Sequence, residues 1–380
     1  MSRSNDAGHY FQTTHALATS ERKAAKSNNK HGHPIKLPSK ILNAIADPQH
    51  EKSVYVAEAA GEVKRVNLED GTIKRMFNHS EAPVTSLAVC STTNTLFAGS
   101  WDKKIYATSL DNTSEITKLQ GHSDFVKCLL TTTLNNQPIL LSGSADSTII
   151  IWSISSGQQL HKLKGHTKAL ADLTIDPLSI TSDSFTLFSA SSDREIRRWN
   201  ISLTSAQELQ EPPIRPHETS IYKLHWDCDA EGLWTASADK TAKHLVRSRN
   251  WESDTTLHHP DFVRDVVVFE DLGLVVTACR DEEVRVWEVS SGKLVCSYTG
   301  HFEEVTALLP RFAERKVVSV SIDGTVRQWS LERKDMVKFQ EDLAKDVSGE
   351  VAEAEKKAGG GMLTAEEEAE LAELMDSGGE

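Results

Sequence analysis

Residues 301–329 read HFEEVTALLPRFAERKVVSVSIDGTVRQW. His301 opens the stretch, an apolar run with Val305 and Leu308 follows, and a second run, Val317–Val320, leads into Ser-x-Asp at Asp323. A third run closes on Trp329. Each run is too short for a helix and is bounded by turn-forming residues, which predicts consecutive antiparallel strands joined by short loops.

The same unit recurs along the chain. The turn aspartate reappears as Asp102, Asp146, Asp193, Asp239 and Asp281, with Ala60 where a seventh would stand. From Ala60 onward the spacings are 42, 44, 47, 46, 42 and 42 residues. A histidine precedes each aspartate, at His79, His122, His166, His217, His259 and His301. Six residues past the aspartate stands Trp152, Trp199, Trp287 or Trp329, with Val66, Thr108 and Leu245 in the other copies. A period of about 40–45 residues built of short strands predicts a propeller array rather than a stack of helices.

The pattern Gly-His…Ser-x-Asp…Trp, as in GHSDFVKCLLTTTLNNQPILLSGSADSTIIIW at 121–152, resembles the WD-repeat β-propeller family over roughly residues 35–340. The resemblance implies an all-β fold: a seven-bladed β-propeller of four-stranded antiparallel blades. Four copies carry the family's full set: His122/Ser142/Asp146/Trp152, His166/Ser189/Asp193/Trp199, His259/Thr277/Asp281/Trp287 and His301/Ser319/Asp323/Trp329. The resemblance implies that these side chains hydrogen-bond one another as a structural network, since a buried carboxylate and an indole N–H each need a partner. Leu245 replaces tryptophan in the fifth copy, Ala98 and Thr108 mark the second, and the first has neither aspartate nor tryptophan.

The first blade is expected at Ile41–Ala46, Ser53–Ala57, Val63–Val66 and Thr72–Phe77, and later blades repeat it. Either Asp335–Phe339 or the segment 34–40 closes the ring. Closure is required because an open ring leaves two raw sheet edges. Blade four carries surplus length at Pro177–Asp183 and at Leu203–Pro213, the latter read as its third-to-fourth connection. Tolerated length variation is preferred there over a docking element.

The chain ends differ from this core. Residues 1–34 are polar and slightly basic, the composition of a disordered tail, and His31 and His33 lack metal-ligand company. Residues 341–380 read as an acidic flexible tail, with a joint at Gly359–Gly361 and a short amphipathic helix over 363–375. Thr364 and Glu367 make a capping box for that helix. Its stripe of Leu371, Leu374 and Met375 is a candidate partner motif, against the plainer reading of a charged solubilising tail.

Composition excludes several function classes. The net charge is −13, and from Leu331 on there are fifteen acids against six bases. With no basic stripe, direct nucleic-acid binding is not expected. Five cysteines show no close pairing, no stretch reaches membrane-spanning length, and the N-terminus has no secretory core, so a cytoplasmic or nuclear protein is expected. There is no GxSxG, GxxxxGK[ST], HExxH or EF-hand loop, and a repeated His/Ser/Asp set argues architecture because an active site occurs once. No catalysis, cofactor, metal or small-molecule substrate is expected.

Surface remains. The resemblance implies that the loops leading into each blade and the hairpins before each turn aspartate converge on the channel mouth, where family members commonly bind peptides. Trp101, Phe125, Phe262 and Phe302 beside Arg194 and Arg280 form the candidate partner-binding set, the composition of a hot spot. Against this stands the reading that the phenylalanines pack under neighbouring blades. The expected role is a non-catalytic scaffold or adaptor that binds peptide segments of partner proteins as a subunit of a multiprotein complex. The alternatives are a substrate receptor of a ubiquitin ligase, or a chromatin/histone-tail reader using Asp124, Asp261, Glu303 and Glu304.

Overall fold

Strands whose two faces are both covered lose the apolar/polar alternation and become continuous apolar runs. The second and third strands of this chain do so: Val317, Val318 and Val320 are fully buried, as are Ile149, Ile150 and Ile151. Each such pair lies in the middle of a four-stranded antiparallel meander, and seven of these sheets form the protein. A computed structural model describes residues 21–345 except for 25, 28, 79 and 114.

Blade one comprises Ile41–Ala46, Ser53–Glu58, Val63–Asn67 and Ile73–Phe77; blade two Val84–Cys90, Thr95–Ser100, Lys104–Ser109 and Ile116–Gln120. Blade three comprises Val126–Leu134, Gln137–Ser144, Thr148–Ser153 and Gln159–Lys164; blade four Leu170–Ile175, Ser184–Ser191, Ile196–Ser202 and Ala206–Glu208. Blade five comprises Ile221–Trp226, Gly232–Ser237, Thr241–Val246 and Glu252–His258; blade six Val263–Phe269, Leu274–Cys279, Val284–Glu288 and Leu294–Tyr298. Blade seven takes Val305–Arg311, Lys316–Ser321 and Thr325–Ser330 from the C-terminal side and Ile35–Lys36 from the N-terminal side.

Apolar clusters join neighbours. Cys90, Phe97 and Ile105 meet Leu140, Ile150 and Trp152 between blades two and three. Val54, Val56 and Val66 meet Leu309, Val318 and Val320 where the first blade packs on the seventh. Every first strand also carries a one-residue register shift near its start, as between Ile41 and Asn43 or Val263 and Asp265. A bulge re-aims side chains. Here the skipped residues Leu42, Thr85, Lys127, Ala171, Tyr222, Arg264 and Thr306 all line the central channel.

Ring closure falls to the N-terminal segment. Ile35 pairs with Val326 and Lys36 with Thr325, and the Leu37 amide donates to the Gly324 carbonyl at 2.8 Å. The alternative closing strand, Asp335–Phe339, is not a strand: 333–345 is helical, in a second unit that begins at Leu331. The sequence LERKDMVKFQEDLAK lacks a β-branched cluster, and Glu332 accepts from the amides of Asp335 and Met336 to start the turn. The propeller therefore ends at Ser330 rather than near 340.

Other expectations change as well. Residues 29–33, read as part of a disordered tail, are fixed on blade seven in the structure. Buried Arg327 donates to Asn29 Oδ1 at 2.7 Å and to the His31 carbonyl, and the Gln328 amide donates to the Gly32 carbonyl at 2.8 Å. Gly32 sits at φ +67, where a Cβ would come within 2.8 Å of the Trp329 ring. In blade four the 203–213 run is not a third-to-fourth connection. It contains the short fourth strand, and its surplus follows that strand, held by Ile214 pairing with Ile196. Cys90, Cys128, Cys279 and Cys296 are buried as expected but Cys228 is exposed, and all five are free. No described helix is long and apolar enough to cross a membrane. The capping box at Thr364 and the expected helix over 363–375, with Leu371, Leu374 and Met375, lie outside the described residues, as does His79.

Removing residues 1–37 exposes the edge of Thr325–Ser330. We expect a lower thermal midpoint and concentration-dependent association in size-exclusion chromatography. A monomer with an unchanged midpoint would show that the closing strand is dispensable.

Candidate functional site

The repeating polar network comes first because it positions everything on the rim. In blade three Trp152 Nε1 donates to Ser142 Oγ at 2.9 Å, Ser142 Oγ lies 2.8 Å from His122 Nε2, and His122 Nδ1 lies 3.1 Å from Asp146 Oδ2. With a proton on Nδ1 donated to Asp146, Nε2 accepts from the serine hydroxyl, and the chain of donors runs from indole to carboxylate. Blade four repeats this through Trp199, Ser189, His166 and Asp193, and blade seven through Trp329, Ser319, His301 and Asp323. Each aspartate also accepts the amide two residues on, at Thr148, Glu195 and Thr325, and the amide after the histidine, at Ser123, Thr167 and Phe302. Burial alone would raise these carboxyl pKa values, yet the imidazoles and amides, with the Thr148 hydroxyl at Asp146, hold Asp146 and Asp193 far below the usual range. The glycine of the Gly-His pair leaves room for the indole: a Cβ at Gly121 would lie 2.8 Å from Trp152.

Blade six departs from the expected network. His259 Nε2 and Trp287 Nε1 reach Thr277 Oγ1 at 2.8 and 2.9 Å, but His259 Nδ1 faces the Leu257 carbonyl at 3.2 Å. Asp281 pairs with Arg285 instead, at 2.6 Å. The cause is legible in the sequence. Pro260 follows His259 where the other blades supply an N–H to the aspartate, and Arg285 stands four residues past Asp281. Burial, with Arg285 nearby, pushes the His259 pKa down to about 4.

Two further blades use substitutes. Blade five keeps His217, Thr235 and Asp239, at 2.7 and 2.8 Å, although Leu245 replaces the tryptophan. In blade two the Tyr106 hydroxyl donates to Asp102. His166, Asp193 and Glu195 bring ligand-type atoms within 4.8 Å of one another. His166 and Asp193 are bound to each other, however, and Glu195 is held by Arg197 and Arg215. This cluster belongs to the network.

Above it, the amide before each turn aspartate donates to the loop entering the same blade: Trp101 to Pro83, Ala145 to Phe125, Arg280 to Phe262 and Ile322 to Glu304, at 2.8 to 3.1 Å. Hairpin tips and incoming loops thus share one rim around a channel of about 550 Å3. Of the six candidate binding residues, Trp101 alone lines this channel. Trp101 is 41% and Phe125 38% exposed, and their rings stack at 5.0 Å and 15°. Arg280 lies over the Phe262 ring at 5.1 Å. Phe302 is half-buried beside Asp323, and Arg194 occupies the left-handed turn position at φ +76. The rim therefore carries one stacked aromatic pair, Trp101–Phe125, and one arginine–aromatic pair, Arg280–Phe262. The acidic candidates are engaged: Asp124 and Asp261 cap the amides of Phe125 and Phe262, Glu303 pairs with Lys23 and Glu304 with Arg264.

Charged residues in the channel were missed from sequence. Asp172 accepts the Leu224 amide and Asp265 the Leu308 amide, at 2.9 and 2.8 Å, tying each blade to the next. Burial pushes Asp265 up to about 6, against the pull of Lys223 and two amides. Burial and Arg264 lower the pKa of Lys127. Their signal was a polar residue at the bulge of an otherwise apolar first strand. On the flank of blades four and five, Arg247 lies between Trp226 and Trp251, 5.1 Å from each, and reaches Asp176 at 2.7 Å.

Residues 70–107, 113–153, 157–200 and 292–330 match the family profile described as WD domain, G-beta repeat. Over 391 residues the chain is 34% identical to an uncharacterized WD repeat-containing protein of Schizosaccharomyces pombe, covering 98% of this chain and 100% of that one. The chain belongs to the WD-repeat family. The stretch outside the matched repeats includes blade five, without its tryptophan, and Pro260 and Asp281 of blade six. Autophagy-related protein 16 of Arabidopsis thaliana is 26% identical over 121 residues, 32% of this chain and 24% of that one. The WD40 β-propeller domain of Doa1 superposes with a TM-score of 0.67 at 19% identity, over 80% of this chain and 97% of that one, a likeness of fold.

Two tests follow from this WD-repeat network. Ser142→Ala leaves Trp152 Nε1 and His122 Nε2 buried without their partner, and we expect a loss of about 2–3 kcal/mol in denaturant unfolding. A loss under about 0.5 kcal/mol would contradict the network's structural role. His259 binds its proton more weakly folded than unfolded. Its contribution is therefore complete above the ordinary value of 6.5 and is lost as pH falls toward about 4. His259→Gln should flatten stability against pH across that window, and an unchanged slope would show that His259 is not buried in its neutral form.

Proposed function

We propose that this WD-repeat protein is a non-catalytic adaptor whose channel mouth, around Trp101 and Arg280, binds a peptide segment of a partner within a larger assembly. Propellers of this family are generally protein-interaction scaffolds and typically non-catalytic. The observation that carries the finer reading is Trp101, a large apolar side chain held at a hairpin tip, stacked on Phe125 and bordering the channel. Exposed aromatics with little to pack against are the usual anchors of an interface, and the Arg280–Phe262 pair supplies a second anchor on the same rim. The channel below it sets Lys127, Asp172, Lys223, Arg264 and Asp265 among apolar side chains, which suits an extended segment with hydrogen-bonding groups better than a purely apolar small molecule. We place the protein in the cytosol or nucleus, a compartment that suits five free thiols.

Affinity capture with the wild-type and Trp101→Ala/Arg280→Ala chains tests the site. We expect at least one partner to be depleted on the order of tenfold or more with the thermal midpoint unchanged. Identical partner sets would remove the channel mouth as the docking surface.

A further inference from the structure

The N-terminal segment does more than supply the closing strand. Residues 21–24 and 26–27 are helical, and their bases lie against carboxylates of blades six and seven. Arg22 Nη2 is 2.7 Å from Glu282 Oε1, and Lys26 Nζ is 3.0 Å from Glu282 Oε2 and 3.5 Å from Glu283 Oε1. Lys23 Nζ is 2.7 Å from Glu303 Oε1. Glu282 stands two residues past Arg280, and Glu303 follows Phe302. These acids thus belong to the same rim as the Arg280–Phe262 pair, and with the segment in place the Glu282 side chain is only 5% exposed.

The segment is anchored just beyond these pairs. Asn29 Nδ2 donates to the Gly300 carbonyl at 2.8 Å, and His31 Nδ1 lies 3.2 Å from the Thr299 carbonyl. Ion pairs whose basic side chain stands a quarter to a half in solvent, as these do, contribute roughly 0–1 kcal/mol each and weaken with salt. What keeps the basic stretch on the rim is its tether, which gives it a high effective concentration there. A contact that is weak in itself and held by a tether is one that a competitor of the same chemistry can displace.

We propose that Arg22, Lys23 and Lys26 are a built-in competitor, lying in cis over the acidic rim of blades six and seven and yielding it to a partner segment that presents clustered lysine or arginine. This rests on the reading of the rim as a docking face and adds the charge of the segment that binds there. The Trp101–Phe125 side carries no such cover among the described residues, so the strap lies on the Arg280–Phe262 side of the rim alone.

Trypsin cleaves after Arg22, Lys23 and Lys26, so limited digestion of the full chain, mapped by mass spectrometry, reads the strap directly. We expect roughly tenfold slower cleavage in wild type than in Glu282→Gln/Glu303→Gln at low salt, with the difference gone at about 0.5 M NaCl. In a second arm a fluorescein-labelled oligolysine peptide is titrated into wild type, Arg22→Glu/Lys26→Glu, and the same charge-reversed chain carrying Glu282→Gln/Glu283→Gln, the acids those two bases cover. We expect binding about fivefold or more tighter to the charge-reversed chain than to wild type, and loss of that gain when the acids are neutralised. Equal cleavage in the first arm, or equal peptide binding by all three chains, would overturn the proposal. Neither readout involves Trp101 or an unidentified partner, so its failure is distinct from failure of the capture experiment.

Discussion

Blades three, four, five and seven each depend on satisfying one carboxylate that the fold removes from water. Asp146, Asp193, Asp239 and Asp323 accept the amide two residues on, which closes their own hairpin turn, and they accept an imidazole and an amide from the loop entering the blade. Leaving such a group unpaired would cost several kcal/mol. The residue after each of the first three sits at positive φ, at Ser147, Arg194 and Lys240, a conformation that side chains other than glycine adopt reluctantly. The aspartate's turn hydrogen bond offsets that strain, which explains why the same residue type returns at nearly the same interval.

Tolerance follows from the same bonding rules. A network needs each buried donor and acceptor matched, and not a fixed set of side chains. Tyr106 serves Asp102 in blade two, Arg285 serves Asp281 in blade six, and the Lys64–Glu58 ion pair at 2.6 Å stands in blade one, which has no turn aspartate. The ring also does not depend on one blade: apolar contacts between neighbouring sheets and the Asp172 and Asp265 links carry the joint from blade to blade.

Because the histidines, aspartates and indoles are consumed by the architecture, chemistry left for recognition lies on the rim and in the channel. Burial separates the two sets. The Trp152, Trp199 and Trp329 indoles are buried with their N–H bonded, whereas Trp101 stands open at a hairpin tip. Arg22, Lys23 and Lys26 lie against carboxylates of that rim on blades six and seven, in the same N-terminal stretch whose Ile35–Lys36 closes the ring.

The sequence by itself determined the blade count, the order of strands and the placement of most strand ends, because a period near 42–47 residues and a polar residue set at fixed offsets are local signals. Strands Ile41–Ala46 and Ser53–Glu58 lie where their apolar patterns put them, to within a residue. Even the blade-six exception was written locally, in Pro260 and Arg285. Tertiary structure alone decided which end closes the ring, that Phe125 stacks on Trp101, and that bases near residue 22 meet acids near residue 282. These contacts join residues distant in the chain or on neighbouring blades, and their pairing depends on how the blades wind around the axis, which no local pattern encodes.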